Sequence, residues 1–314
     1  MGLDRKRVEA AMLAAVRTSD DYLTEIASHL ITAGGKRLRP VMAIAASQVG
    51  NGQSATESVI QGGIACELVH LGSLYHDDVM DEAETRRGVE TVNAKWGNLQ
   101  AILAGDFLLA RASEIAASLG TEVAILLSQT IGRLCEGQIE ELRHTYDIGR
   151  PVPSYLASIE GKTASLYSTA ARIGGIVANH DRNVIDALTS YGTSYGMVFQ
   201  IVDDILDLTA SDSELGKPAG HDMVEGVYTL PVLLTMSGEA SGSEELKAML
   251  GAPLTEDQQK RAIDIVRSGP GMTAAVKVAR DYVHAAEAAC SQMPAGDATD
   301  AFRSATEALL DSVL

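Results

Sequence analysis

Two aspartate clusters of the same form are the residues of this chain best suited to chemistry: Asp77-Asp78-Val79-Met80-Asp81 and Asp203-Asp204-Ile205-Leu206-Asp207. Each sits in a stretch that otherwise reads as buried helix. At spacing i, i+1 and i+4, the first and last aspartate share a helical face one turn apart, and the middle one lies about 100° round. The flanks are Leu71, Leu74, Tyr75, Val79 and Met80 in one case, and Val198, Phe199, Ile201, Val202, Ile205, Leu206 and Leu208 in the other. Such neighbours are too apolar for a solvated acidic patch, and buried carboxylates without a counter-charge would pull their helices out of the core. The clusters therefore call for a cation. Facing each other, they would offer hard oxygen ligands to Mg²⁺, an ion that keeps waters and completes its shell with phosphate oxygens. The predicted substrate is a diphosphate.

Basic residues stand out against an acidic background of 42 Asp and Glu to 25 Lys and Arg. In Gly34-Gly35-Lys36-Arg37-Leu38-Arg39-Pro40 the glycines end one helix and Pro40 starts the next, which holds Lys36 and Arg39 near a helix N-terminus suited to an anionic oxygen. A plain polar turn remains the alternative there. Arg86-Arg87-Gly88, just past Asp81, could grip diphosphate oxygens with a bidentate fork or simply neutralise Glu82 and Glu84. Gly161-Lys162-Thr163 and the segment Gly216-Lys217-Pro218 through Asp222 complete the set; the latter could fold Lys217 over phosphate while Asp222 supports the metal shell. His70 lies two turns before Asp77 on nearly the same face, where it could donate to a second anion. His76 points elsewhere and reads as a satisfied core histidine.

The elements that must position these groups are helical. Eight prolines fall between long Ala/Leu/Ile-rich segments, and no run of alternating β-branched residues occurs. Helices are predicted near residues 5–17, 20–33, 40–49, 54–82, 92–118, 121–147, 154–178, 182–210, 222–237, 256–268, 271–292 and 297–313. With 314 residues, 46% hydrophobic and no Gly/Ser- or Pro-rich linker, the expectation is one all-α domain over 1–314, a bundle around a deep central cavity to which both halves contribute. Cys66, Cys135 and Cys290 have no metal-type spacing and read as core thiols in a reducing compartment. Met1-Gly2-Leu3-Asp4-Arg5 lacks an apolar signal segment, and no apolar run approaches the roughly 20 residues of a membrane span, so a cytoplasmic protein is expected. A net charge of −17 weighs against nucleic acid and anionic lipid.

Taken together, these motifs, in this order and spacing over nearly the whole chain, resemble the trans-isoprenyl diphosphate synthases, or polyprenyl synthetases. They are Gly34 to Pro40, Glu67 to Asp81 with Arg86-Arg87-Gly88, Gly161-Lys162-Thr163-Ala164, Phe199-Gln200 leading into Asp203-Asp204, and Gly216-Lys217 to Leu230-Pro231. The resemblance implies the all-helical isoprenoid synthase fold, a homodimer, and head-to-tail condensation of isopentenyl diphosphate with an allylic prenyl diphosphate. It implies that Asp77, Asp81 and Asp203 ligate a Mg²⁺ cluster, for which Mn²⁺ could substitute, with Asp78, Asp204, Asp207 and Asp222 behind them or reaching it through water. Arg86, Lys162 and Lys217 would contact the allylic diphosphate; Lys36, Arg39, His70 and Arg87 would hold isopentenyl diphosphate; Thr163 and Gln200 would line the carbocation region. The proton would leave on the departing pyrophosphate. One departure stands out: Val227 replaces a lysine that many relatives place before Thr-Leu-Pro.

A class I terpene cyclase would carry an Asn/Ser/Glu-type second metal motif and lack the Gly-Gly-Lys segment. A helical phosphohydrolase built on His76-Asp77 would need further histidine ligands, and a non-catalytic partner subunit would have lost aspartates. For product length, the informative residues are Val69, Gly72 and Ser73, below Asp77 on its helix. Short-chain relatives close the pocket with aromatics where this chain has Gly72 and Ser73, so a long-chain product is expected, from a farnesyl or geranylgeranyl starter for a quinone side chain. The rival reading of Gly72 and Ser73 is that they permit close helix packing, and a short-chain product remains the alternative. Transient membrane contact would serve release of a long product.

Overall fold

A computed structural model describes residues 2–50, 52–209, 220–238 and 242–314, with side chains from Asp4 onward. The Gly216-Lys217-Pro218 segment lies outside them. The described residues form helices α1 (Gly2–Ala15), α2 (Asp21–Thr32), α3 (Leu38–Gln48) and α4 (Glu57–Met80), a hairpin of β1 (Thr85–Arg86) and β2 (Val89–Glu90), then α5 (Val92–Trp96), α6 (Asn98–Ser118), α7 (Thr121–Arg143) and α8 (Val152–Ile159). A π-helical turn, Glu160–Ala164, follows, and then α9 (Ser165–Val177), α10 (Arg182–Thr209), α11 (His221–Val224), α12 (Leu230–Ser237), α13 (Ser243–Met249), α14 (Glu256–Ser268), α15 (Pro270–Cys290) and α16 (Asp297–Asp311). The all-α expectation holds.

The differences from the sequence reading have local causes. The helix expected over 92–118 is broken at Gly97, whose φ of 94° no helix contains. The one expected over 222–237 divides around Gly226, at φ 80°. The one expected over 154–178 is interrupted by the π turn, and α13 and the hairpin were not foreseen. The hairpin carries two positive-φ residues, Arg87 and Gly88, at its turn, the pairing that a two-residue type I′ connection requires. Cys66 and Cys290 are buried, and burial pushes their thiols up to about 12 and about 11. Cys135, expected in the core, is exposed on α7.

Residues 1–131, 166–192 and 292–300 form one compact unit, and 132–165, 193–291 and 301–314 a second. In the first, α4 is buried along most of its length and packs chiefly on α6 and α3. Glycines allow the approach: a Cβ on Gly63 would lie 2.8 Å from the Pro40 Cα, and one on Gly72 would lie 3.0 Å from the Gly105 carbonyl oxygen. Gly105 in turn leaves room for the His76 ring, whose Nε2 lies 3.2 Å from the Ile102 carbonyl oxygen, so His76 is satisfied within the helix pair. Tyr75, fully buried, donates to the Ile26 carbonyl at 2.8 Å and ties α4 to α2. The second unit closes around an apolar core that includes Tyr155, Val198, Ile201, Ile205, Leu230 and Val266.

Packing at Gly174 offers a direct check. A Cβ there would stand 2.3 Å from the Ala43 carbonyl oxygen, and backbone cannot step aside as a side-chain tip can. Gly174→Ala is expected to cost about 1–3 kcal/mol despite its better helix propensity, read as a lower urea midpoint with an unchanged slope. An unaltered midpoint would contradict this close approach of α9 to α3.

Candidate active site

In the first unit, chemistry gathers at the C-terminal end of α4. Asp77 is half-buried, Asp78 fully buried, and Asp81, the C-cap residue, exposed. Glu82 adopts φ 49° and the Ala83 N–H returns to the Asp78 carbonyl oxygen at 3.0 Å, a Schellman-type stop that turns the chain into the hairpin. The hairpin then aims its two arginines in different directions. Arg86 Nε donates to Asp78 Oδ1 at 2.5 Å, while Arg87 Nη1 donates to the carbonyls of Leu30, at 3.2 Å, and Gly34. One dipeptide thus joins the first aspartate cluster to the Gly34 to Pro40 loop. Gly35 is obligatory there: at φ 147° a Cβ would meet Arg87 Nη1 at 2.9 Å.

Behind this wall, Arg37 is buried in a left-handed conformation at the N-cap of α3 and pairs with Glu9 at 2.8 Å and with Glu67 at 3.3 Å. Arg37 and Glu67, both inside the motif segments, thus serve the structure, and their spacing in the chain gives no sign of the pairing. Arg39 spreads its guanidinium 4.6 Å above the Tyr167 ring, and its buried Nε has no hydrogen-bond partner. Lys36 is exposed on the loop. His70, one turn after Glu67, has its pKa driven well below the ordinary imidazole range by burial first and then by Arg39, Arg87, Arg86 and Arg37. The ring is therefore neutral at pH 7, with one N–H to offer. Lys36, Arg39, His70 and Arg87 thus come from a loop, two helices and a hairpin of one unit.

In the second unit the pattern is reversed. Asp203 is exposed, whereas Asp204 and Asp207 are buried on α10. Asp204 is held by donors at both oxygens: Gln200 Nε2 reaches Oδ1 at 2.9 Å and the Tyr155 phenol reaches Oδ2. Burial first, then the charges of Asp222 and Asp203, push its pKa well above the usual carboxylate range. Thr163 Oγ1 donates to Gln200 Oε1 at 2.8 Å, so Thr163 and Gln200, expected to line a carbocation region, are hydrogen-bonded to each other and through Gln200 to the aspartate. Lys162 Nζ pairs with Glu141 at 2.7 Å. The π turn that carries both residues packs glycine on glycine: a Cβ on Gly137 of α7 would stand 2.5 Å from the Lys162 nitrogen. Such turns are common at functional sites. Asp222 lies in the first turn of α11, and Val227 N–H donates to its carbonyl oxygen at 2.8 Å.

Among the described residues, no three His, Cys, Asp or Glu side chains stand ready as a metal cage. The donor chemistry nonetheless fits a hard divalent ion that phosphate oxygens help to ligate, since every candidate ligand is a carboxylate and Asp78 Oδ2 is buried without a hydrogen-bond partner. No described helix is long and apolar enough to cross a membrane. On the chain-length residues, Val69 is buried, Ser73 is half-buried with its Oγ donating to the His70 carbonyl at 2.9 Å, and Gly72 serves the α4–α6 contact.

The chain is similar to known proteins over nearly its whole length. The sequence profile of the polyprenyl synthetase family matches residues 20–266. The chain is 38% identical over 289 residues to nonaprenyl diphosphate synthase of Mycobacterium tuberculosis, covering 92% of this chain and 86% of that protein. The crystal structure of heptaprenyl diphosphate synthase from Staphylococcus aureus superposes with a TM-score of 0.92 at 32% identity, over 99% of this chain and 98% of that one. A polyprenyl synthase from Caulobacter crescentus, solved with calcium and isoprenyl diphosphate, matches with a TM-score of 0.91 at 31% identity, over 98% and 94% of the two chains. With its helices, its basic wall and its aspartate clusters described, this chain belongs to the polyprenyl synthetase family of prenyltransferases and has the all-α isoprenoid synthase fold.

Proposed function

We propose that this chain is a long-chain polyprenyl diphosphate synthase, acting as a single domain over residues 1–314, that adds isopentenyl diphosphate head-to-tail to an allylic diphosphate in the presence of Mg²⁺, with Mn²⁺ as a substitute. The observation that carries the reading is the Arg86-Arg87 hairpin, which binds the first aspartate cluster on one side and the Lys36 loop on the other. A carboxylate cluster beside a cationic wall suits two diphosphates of different duty. On this reading Lys36, Arg39, Arg87 and neutral His70 hold isopentenyl diphosphate by charge-assisted hydrogen bonds. Asp77 and Asp81, with Asp203, ligate the cations on the allylic diphosphate, and Lys162, Lys217 and Arg86 contact its oxygens. When bound, divalent cations would stabilise the charge that develops on pyrophosphate as the allylic C–O bond breaks. The isopentenyl double bond then attacks the allylic cation, and the proton leaves with the departing pyrophosphate.

Relatives named for nonaprenyl and heptaprenyl products support the long-chain reading, and small residues below Asp77 agree with it. The intact Gly34 to Pro40 segment disfavours a cyclase, and the retained aspartates disfavour a non-catalytic subunit. The chain works in the cytoplasm as a homodimer. Leu99, Ile102 and Leu103 form an exposed apolar stripe at the start of α6, with Leu99 75% and Leu103 66% accessible, a surface that association would cover.

The first expected outcome is that Asp77→Ala and Asp203→Ala each lower Mg²⁺-dependent condensation by at least about 100-fold with the fold retained, as loss of charge stabilisation at the breaking bond demands. Labelled isopentenyl diphosphate incorporation and circular dichroism measure both, and near-normal turnover of either folded variant would defeat the two-cluster mechanism. The second concerns length. Ser73→Phe is expected to shorten the product, sized after dephosphorylation, while sparing the first condensation; Gly72→Phe should instead destabilise the α4–α6 contact. An unchanged product from Ser73→Phe would remove Ser73 from the tail path. The third is association: Leu103→Glu should halve the sedimenting mass of the purified protein, and an unaltered mass would exclude the α6 stripe from the interface.

A further inference from the structure

We infer that Tyr155 is a positioning residue for the second aspartate cluster, acting through Asp204. Its ring is buried in the core of the second unit at 2% exposure, yet its phenol is spent on Asp204 Oδ2. Nothing in the motif pattern marks it, because it lies on α8, far in sequence from α10. A chain of contacts sets its place. Arg150, itself buried, lies 5.6 Å from the Tyr155 ring centroid and donates through Nη2 to Ser158 Oγ at 2.6 Å. Ser158 Oγ donates in turn to the Tyr155 carbonyl at 2.9 Å. On the other oxygen of Asp204, Gln200 closes the clamp, braced by Thr163 from the π turn.

The consequence follows from geometry. A buried carboxylate with one donor can rotate about χ2, whereas donors on both oxygens from two different helices fix the plane of the group. Fixed in that plane, Asp204 keeps one orientation behind Asp203, its exposed neighbour on α10. Loss of the groups that orient the surroundings of a metal site typically costs about 10- to 100-fold in affinity. The inference rests on the proposed role of this cluster in holding a cation and diphosphate, and the test separates the two.

Binding of Mg²⁺ with inorganic pyrophosphate is measured by titration calorimetry on the full chain, for the native protein and for Tyr155→Phe, Asp204→Asn, their double variant and Asp203→Ala, at a temperature well below every melting transition. Tyr155→Phe is expected to weaken binding by about 10- to 100-fold. In the Asp204→Asn background the same change is expected to add less than about twofold, because a residue acting through Asp204 has nothing left to orient. Binding by Tyr155→Phe within twofold of native, or an undiminished further loss in the Asp204→Asn background, overturns the positioning role while leaving the cluster's function standing. Native-like binding by Asp203→Ala overturns the reading of the cluster itself, and the positioning role with it.

Discussion

Burying a carboxylate in a helical core is costly, and much of this structure is arranged around two such groups. Asp78 and Asp204 are each almost fully enclosed, and each is answered by donors brought from elsewhere in its own unit. An isolated charge in such a setting would cost several kcal/mol and would be neutralised by a proton. The two solutions differ. Asp78 takes a guanidinium, an opposite charge, and keeps one oxygen unpaired. Asp204 takes only neutral donors, a phenol and an amide, and keeps its negative neighbours Asp203 and Asp222 close enough to raise its pKa.

The cationic wall of the first unit has the opposite difficulty. Arg37, Arg39, Arg86 and Arg87 repel one another, yet only Arg37 is held by two carboxylates, Glu9 and Glu67. Arg87 is placed by carbonyl groups and Arg39 by an aromatic face, neither of which cancels charge. Burial first, and then their positive potential, suppresses protonation of His70. A site prepared in this way attracts an anion of high charge density and holds it with forks already oriented, which lowers the ordering cost on binding.

How much of this could be read from residues alone differs by element. The aspartate spacing, the Gly34-Gly35 turn and the Lys162-Thr163 segment were legible, because each depends on local chemistry that spacing records. The Arg86-Arg87 pair was legible as charge, but its division of labour was not. That division comes from the tight turn: Arg86 closes the strand pair while Arg87 occupies the first positive-φ position of the turn, so the two side chains leave in different directions. The π turn was not legible: Gly161 weakens helix propensity without revealing the register, and its close approach to Gly137 of α7 exists only in the fold.

By itself, then, the order of residues determined the helical class, the family, the two carboxylate clusters and the cationic loop. The class, the clusters and the loop follow from periodicity and from charges that an apolar context makes conspicuous, and the family from the resemblance of the motifs in their order. Only the tertiary structure decided which aspartate of each cluster is buried, that Gly72 serves a helix contact, that Arg37 is consumed by Glu9 and Glu67, and that Tyr155 holds Asp204. The physical reason is common to all four. Burial and hydrogen-bond pairing depend on partners distant in sequence, so a residue's local pattern can show that it needs a partner but not which one it finds.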